Sequence, residues 1–267
     1  GIQLAFKDFR SNVGIWGSEW VGFKHFIRFI EYPYFEMIVW NTLSISLYSL
    51  IVGFPIPIIL ALMLNELKNK RFKKTVQMVT YAPHFISTVV ICGMILLFTA
   101  KDTGVINHLL SIFGLERVDF MSDPKYFKTV YVLSGVWQNS GWNTIIYLAS
   151  LSGVSLELIE AARMDGASRI HIITYVNLPH ILPTIVILLI MNCGSLLSLG
   201  LEKVWPLQNP LNMDASEIIS TYVYKVGLEG AQYSYSAAIG LFNTVVNMIL
   251  LILVNTISKK ISEISLW

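Results

Sequence analysis

The chain has 267 residues, of which 54% are hydrophobic and only 13% charged, and its formal net charge is +2. Soluble globular domains carry about 25% charged residues, so this composition, with a mean hydropathy of +0.61, indicates an integral membrane protein. The small net charge and the lack of a basic aromatic patch argue against nucleic acid binding. No CxxC, HExxH, P-loop or GxSxG signature is present in the sequence, so no motif predicts a metal or catalytic site.

Residues 1–35 alternate charged side chains with aromatic ones. This pattern predicts an extracytoplasmic, interfacial segment whose Trp16, Trp20 and Phe23 lie at headgroup level. A solvated terminal arm is the alternative. Because the sequence begins at Gly1 with no signal peptide, a further span is expected before it.

Residues 36–267 are predicted to form the transmembrane domain, with five apolar runs. Each run is long enough to cross a hydrocarbon core of about 30 Å. Pro55 and Pro57 should kink or break the first run. Pro83 and His84 lie near the start of the second, where a single histidine is more often a packed residue than a ligand. The runs cover residues 36–64, 76–99, 127–151, 181–199 and 237–257.

Basic residues predict how the chain is oriented in the membrane. Five lysines and arginines lie between positions 68 and 74, and short cytoplasmic loops are rich in such residues. With that loop inside, parity also places residues 152–180 in the cytoplasm, together with the C-terminus and its Lys259 and Lys260. Residues 1–35 then lie outside, and a preceding span would bring the total to six.

The stretch Glu160–Pro179 is a polar-faced interruption between two apolar runs. Ala161 and Ala162 are small enough for another protein surface to approach the backbone closely. Gly166 permits a chain reversal that a residue with a Cβ resists. Pro179 suits the first turn of a following helix. The sequence therefore predicts a short helix, a bend and a return into the membrane.

This stretch resembles the EAA loop of ABC importer permeases. That loop reads Glu-Ala-Ala, three residues, Gly, nine residues, an aliphatic residue, any residue and then Leu-Pro. Val176 replaces the usual isoleucine at the aliphatic position. In the family the loop, here about residues 152–180, forms a coupling helix that docks in a groove of the cytoplasmic ATPase. An ordinary amphipathic helix between spans remains the alternative.

The resemblance implies an ATPase-coupling role for individual residues of the loop. Glu160 would pair with a basic group on the ATPase, small residues would permit close docking, and Met164 would fill an apolar groove. The positions that match or flank the motif are Glu160, Ala161, Ala162, Met164, Asp165, Gly166, Leu178 and Pro179.

The resemblance extends over nearly the whole chain. SEWVGFKHF, NTLSISLYSL, PIPIILALMLNEL, YAPHFIS, IIYLASLSGV and STYVYKVGL are similar to the LplB-like branch of maltose-type sugar permeases. This implies an all-α, type I importer helix bundle in the bacterial cytoplasmic membrane. The implied partners are a second homologous permease in a heterodimer, two ABC ATPases that bind ATP and Mg, an extracellular or periplasmic solute-binding protein and a carbohydrate. No cofactor is expected in this subunit.

Polar residues within the apolar runs predict a substrate path, because such residues are expensive in a membrane and tend to face a cavity or the bundle interior. The third run has the densest group, with no charged member. Aromatic planes and amides suit a neutral sugar. Hydrogen bonding between helices is the alternative role for each residue. The candidates are Trp137, Gln138, Asn139, Trp142, Asn143, Tyr147, Asn192, Asn243 and Asn247.

Three other readings of the sequence stay open. The same importer machinery could carry an amino acid, a peptide or an anion, although no charged group is clearly placed within the runs. An intramembrane enzyme would need a nucleophile–base or metal constellation, and His84, His171 and His180 lack paired acids. An uncoupled channel or scaffold would lack an ATPase partner.

Overall fold

The computed structural model describes residues 1–266 and is predominantly helical. The chain divides into two compact units. The first comprises residues 1–47, 88–131 and 194–251, and the second comprises residues 48–87, residues 132–193 and the described residues from 252 onward.

The N-terminal residues form a small folded element before the first long helix. A 3₁₀ turn at Ile2–Phe6 leads into strand β1 (Lys7–Asp8), helix α1 (Gly14–Gly17), strand β2 (Glu19–Trp20) and helix α2 (Lys24–Ile30). The strands are antiparallel, with Lys7 opposite Trp20. Sequence analysis predicts no strand here, because the two-residue strands are too short to show an alternating apolar pattern.

The first apolar run is one nearly continuous helix, α3 (Phe35–Gly53) followed by α4 (Pro55–Asn65). Phe54 joins them and keeps helical angles, with φ −72° and ψ −42°. Pro55 is tolerated because it is the first residue of α4, where the missing N–H would have no partner inside the helix. The break predicted at the prolines is therefore only a junction.

The second run is broken, whereas sequence analysis predicts one span at residues 76–99. Helix α5 (Lys70–Tyr81) and a 3₁₀ turn (Ala82–Phe85) meet α6 (Thr88–Thr99) at an angle of 98°. Helix α6 alone has 12 residues and rises only about 18 Å. Helix α5 begins within the predicted basic loop because the Asn69 side chain accepts hydrogen bonds from the N–H groups of Arg71 and Phe72.

The third run forms the long helix α8 (Pro124–Leu151), preceded by α7 (Val105–Ile112) in the polar connection. Helix α9 (Leu156–Met164) follows α8 at an angle of 78°.

The fourth run begins earlier and ends earlier than the predicted range 181–199. Helix α10 (Arg169–Ile172), a π-helical turn (Ile173–Asn177) and α11 (Leu178–Cys193) form one continuous helical stretch. Helices α12 (Leu201–Leu207), α13 (Met213–Ser216) and α14 (Ile219–Tyr224) follow, then a π-helical turn (Lys225–Glu229) and the long helix α15 (Tyr233–Ser262).

Among the described residues, three helical stretches are long and apolar enough to cross a membrane. They are Phe35–Asn65, Arg169–Cys193 and Tyr233–Ser262. The number rises to five if each bent pair counts as one span, which agrees with the five apolar runs.

The core of the first unit packs around aromatic rings. Phe29, Tyr222 and Tyr235 are buried together with Leu197 and aliphatic residues of α3, α14 and α15. Polar groups reinforce this packing. The Asn41 side-chain amide donates to the carbonyl oxygens of Asp214 at 2.8 Å and Glu217 at 3.2 Å.

The core of the second unit joins α4, α8 and α11 through Ala61, Tyr147, Leu151 and Ile181. In the same unit α8 and α5 approach closely. A Cβ added at Gly141 would lie 2.0 Å from the carbonyl oxygen of Thr80, so only glycine fits at that position.

Candidate functional site

Helix α9 and the turn after it form the predicted short helix and bend. Gly166 has φ +80°, a left-handed conformation that glycine adopts without the steric penalty of a Cβ. The N–H of Gly166 donates to the carbonyl of Arg163 at 3.0 Å, and the N–H of Ala167 donates to that of Ala162 at 2.9 Å. These two bonds form a Schellman motif, which satisfies carbonyls at the end of α9.

The next helix starts immediately after this turn. The Ser168 side chain accepts a hydrogen bond from the N–H of His171 at 3.3 Å and so caps α10. From there the chain runs through the π-helical turn into α11, which contains Leu178 and Pro179. Residues 152–180, called the coupling segment from here on, therefore have a defined shape set by their own backbone and caps.

The coupling segment exposes apolar side chains that nothing in its own unit covers. Met164 is 89% exposed, and Ile170 and Tyr175 are each 74% exposed. Glu160 and Ala161 on α9 are exposed as well. A run of exposed large apolar residues beside charged ones is typical of a protein interaction surface.

The polar residues of α8 contact the break in the second run, defined here as residues 82–87. The Gln138 side-chain amide donates to the carbonyl of Ile86 at 3.4 Å. The oxygen of the Asn139 side chain lies 3.1 Å from Nδ1 of His84. The first contact gives the Ile86 carbonyl, a backbone group in the break, a hydrogen-bond donor, and the second joins two side chains across the break and α8.

Aromatic rings pack at the same place. The His84 ring stacks on Trp142 with a centroid distance of 4.6 Å and an interplanar angle of 7°. Phe85 meets Trp142 edge to face at 5.6 Å. Trp142 is still 42% exposed, so part of its surface remains accessible beside Asn143, which is also exposed.

The remaining path candidates have different surroundings. Tyr147 is buried in the core of the second unit, and Trp137 is half exposed. Asn192 is exposed and donates to the carbonyl of Leu188 in its own helix. A role in the substrate path is a prediction for each of them.

Two asparagines of α15 differ in their bonding. The Asn247 side chain accepts from the N–H of Leu197 at 3.0 Å and donates to Ser198 Oγ at 2.9 Å, which ties α15 to the segment after α11. The Asn243 side-chain oxygen is buried and accepts no hydrogen bond from the described residues. Asn247 thus bonds to the turn between α11 and α12, and its role in a substrate path stays a prediction.

Sequence analysis did not identify His84, Phe85 and Ile86 as partners of the polar residues in α8. The signal in the sequence was Pro83, which cannot donate a helical hydrogen bond and lies near the start of the second apolar run. Among residues 1–266, no group of three or more His, Cys, Asp or Glu side chains is placed to hold a metal ion.

Comparison with known proteins identifies the family. Residues 53–263 match the family described as "Binding-protein-dependent transport system inner membrane component". The polygalacturonan/rhamnogalacturonan transport system permease protein YteP of Bacillus subtilis (strain 168) is 44% identical, over 98% of this chain and 82% of that protein. Protein LplB of the same organism is 42% identical, over 100% of this chain and 84% of that protein.

Solved structures agree with these relatives. A bacterial ABC transporter involved in the import of the acidic polysaccharide alginate contains a chain with a TM-score of 0.90 and 40% identity, covering 98% of this chain and 88% of that one. A second structure, of a bacterial alginate ABC transporter in complex with an alginate pentasaccharide-bound periplasmic protein, gives a TM-score of 0.91 at 39% identity. This chain is a member of the family of binding-protein-dependent transport system inner membrane components.

Proposed function

We propose that this chain is one of two homologous permease subunits of an ATP-driven importer that moves a carbohydrate across the cytoplasmic membrane by alternating access. The observation that carries the proposal is the coupling segment, which combines the EAA motif with a fixed backbone and an exposed apolar surface. The family is binding-protein dependent, so a solute-binding protein delivers the cargo from outside.

The coupling segment is the surface through which one of the two ATPase subunits acts on this chain. Met164 and Leu158 fill an apolar groove on the ATPase, and Glu160 pairs with a basic group at its edge. When the ATPases close on ATP, they move the coupling segments of both permeases. A ligand shifts a conformational equilibrium only by its differential affinity for the two states, and here ATP binding and hydrolysis supply that difference.

ATP and Mg bind in the ATPase subunits, and this chain contributes no catalytic group. Its sequence has no Walker A motif, the glycine-rich loop that cradles the phosphates of a nucleotide. The second permease is a homologue and not an identical copy, which makes the membrane part of the importer a heterodimer.

The cargo is an oligosaccharide or polysaccharide. The names of the two solved transporters and of YteP refer to polysaccharides, and a relative of 32% identity is named as an arabinooligosaccharides permease. Trp137, Trp142 and Asn143 are exposed on different sides of α8, and each offers the stacking or hydrogen bonding that sugar rings and hydroxyls require. These three residues are the strongest candidates for the path.

The test compares two glycines that occupy the same kind of turn. Gly166 and Gly114 each end a helix in a Schellman motif, with φ +80° and +74°, and a Cβ at either would meet nothing within 4 Å. Valine therefore brings the same backbone strain at both, of order 1–3 kcal/mol. Only Gly166 lies in the coupling segment.

The importer is purified with its ATPases in lipid nanodiscs, and its ATPase rate is measured with and without binding protein loaded with oligogalacturonate or galacto-oligosaccharide. Stimulation is expected for wild type and for Gly114→Val, and its loss is expected for Gly166→Val at an unchanged level of assembled complex. Equal stimulation of both variants would contradict the coupling role. Stimulation by peptide-loaded binding protein, without stimulation by sugar-loaded binding protein, would contradict the proposal that the cargo is a carbohydrate.

A further inference from the structure

Helix α2 has one buried face and one exposed apolar face. His25 and Phe29, one turn apart, are buried against the first unit. Phe23, Ile27 and Ile30, spaced by four and three residues, point the other way and are 52–66% exposed. Such spacing places side chains on one helix face, so α2 has an outward apolar stripe in addition to its packed inner face.

The inner face of α2 packs against the beginning of α3 and against the first three turns of α15. The Phe29 ring lies 4.9 Å from Phe35, the first residue of α3, and 5.6 Å from Phe242 of α15. The Arg28 guanidinium lies 4.1 Å from the ring centre of Tyr235, also in α15. Helix α2 therefore lies close to the depth in the membrane at which α3 and α15 begin.

The order of the spans puts both of those ends on one side of the membrane. With five crossings, the start of the first span and the start of the fifth lie on the same, extracytoplasmic side. Helix α2 ends at Ile30 and α3 starts at Phe35, a distance of at most about 18 Å for five extended residues. Both constraints hold α2 at the boundary between the hydrocarbon core and water.

The neighbouring hairpin adds exposed tryptophans at the same level. Trp16 and Trp20 are 85% and 61% exposed. The Lys7 ammonium holds the hairpin together, since it donates to the carbonyl of Ile15 at 2.8 Å and lies 4.9 Å from the ring centre of Trp20. A hydrogen bond joins the hairpin to α15, since the N–H of Phe9 donates to Ser234 Oγ at 2.9 Å.

We propose that the outward face of residues 13–34 lies in the outer leaflet, with Trp16 and Trp20 among the headgroups and Phe23, Ile27 and Ile30 at the top of the acyl chains. Exposure of large apolar side chains to water is unfavourable, and insertion into the membrane interface removes it. Tryptophan, tyrosine and cationic side chains are enriched where headgroups meet hydrocarbon. The lipid surface thereby supports an extracytoplasmic element that is packed on two spans. The inference does not depend on the cargo.

Nitroxide scanning of the complete importer tests this placement. The native thiols Cys92 and Cys193 are replaced by serine, and single labels are introduced by Ile27→Cys, Ile30→Cys and, as the water-exposed control, Asn12→Cys. The complex is placed in nanodiscs of phosphatidylcholine and phosphatidylglycerol. Relaxation by oxygen, which partitions into lipid, is compared with relaxation by a water-soluble nickel chelate.

Labels at Ile27 and Ile30 are expected to favour oxygen over nickel and to report a depth of about 5–10 Å below the headgroup surface, whereas the Asn12 label favours nickel. Nickel accessibility at Ile27 equal to that at Asn12 would place the stripe in water and overturn the proposal. Shielding of Ile27 and Ile30 from both reagents would mean that a protein surface covers them and would overturn it equally. Doxyl-lipid broadening of the same labels gives an independent measure of depth.

Discussion

At the scale of single residues, Lys203 stands out because it is a buried cation outside the spans. It lies in α12, is 9% exposed, and its ammonium donates to the carbonyl of Tyr131 at 2.9 Å. The ring centre of Tyr131 is 4.7 Å away. Burial, which disfavours the charged form, lowers the pKa of Lys203 from 10.5 to about 8. The carbonyl and the ring compensate only part of the lost hydration.

This pKa predicts how stability depends on pH. Between pH 8 and pH 10.5 the unfolded state binds a proton at Lys203 that the folded state has released, so the free energy of unfolding rises with pH across this window. Below pH 8 Lys203 is protonated in both the folded and the unfolded state. The folded state then bears the full free-energy cost of burying the charge, about 3 kcal/mol for a pKa shift of this size. Lys203→Met, which removes the cation, is therefore expected to raise the thermal midpoint at pH 7.

The measurement is the midpoint of thermal unfolding in nanodiscs at pH 7 to 10 for wild type, Lys203→Met and a control in which the exposed Lys101 is changed to methionine. The gain from Lys203→Met should shrink toward pH 10, while the Lys101→Met curve should run parallel to wild type. A gain from Lys203→Met that is constant across the window would show that the charge of Lys203 is not the cause.

At the scale of elements, two glycines in spans provide a matched pair. Gly141 of α8 lies against the backbone of α5, where a Cβ would come within 2.0 Å of the Thr80 carbonyl oxygen, whereas a Cβ at Gly93 of α6 would meet nothing within 4 Å. Gly141→Ala must push the helices apart and should lower the free energy of unfolding by about 1–3 kcal/mol or more. Gly93→Ala should be neutral or stabilising by up to about 1 kcal/mol.

Denaturant or thermal unfolding of the two variants in the same lipid distinguishes these outcomes. Because Gly141 lies one residue from Trp142, the stacking of the His84 and Trp142 rings should also be disturbed, and tryptophan fluorescence should change in Gly141→Ala only. Equal midpoints for the two variants would contradict the close approach of α8 and α5.

The elements differ in how well their sequence predicts them. The bend at Gly166 follows from local chemistry, since a glycine after an amphipathic turn is a common helix end, and it was predicted. The break at residues 82–87 contacts Gln138 and Asn139 of α8, which lie 52 and 55 residues from their partners along the chain. Periodicity within one segment contains no information about such distant partners. The π-helical turn at Ile173–Asn177 likewise leaves no pattern in the apolar residues.

At the scale of the whole molecule, the sequence predicts the fold and family more securely than the path. Five long apolar runs and the motif from Glu160 to Pro179 predict five spans and their order, because lipid requires each run to satisfy its own backbone. The described residues provide five spans if each bent helix pair crosses as one span. Which polar residue faces a cavity depends on helix rotation and packing. Asn247, a path candidate by sequence, bonds to residues 197 and 198, whereas Asn143 on α8 is exposed.

The charges of the chain predict its orientation in the membrane. Five lysines and arginines lie between positions 68 and 74, and a dense cluster of this kind stays in the cytoplasm. With one crossing per apolar run, the connection that contains Glu116 lies outside and the coupling segment that contains Glu157 lies inside. We expect Glu116→Cys to react with a membrane-impermeant maleimide in intact cells, and Lys68→Cys and Glu157→Cys to react only after permeabilisation.

All three positions are exposed in the structure, so burial within the protein does not explain a lack of reaction, and equal labelling after permeabilisation is the internal control. Labelling of Lys68→Cys and Glu157→Cys in intact cells would show that the chain has the opposite orientation. The coupling segment would then lie outside, where no cytoplasmic ATPase can reach it. Labelling of only one of these two would instead mean that one bent pair, α5 with α6 or α8 with α9, does not cross the membrane. The experiment therefore tests the parity on which both the coupling role and the outer-leaflet position of α2 depend.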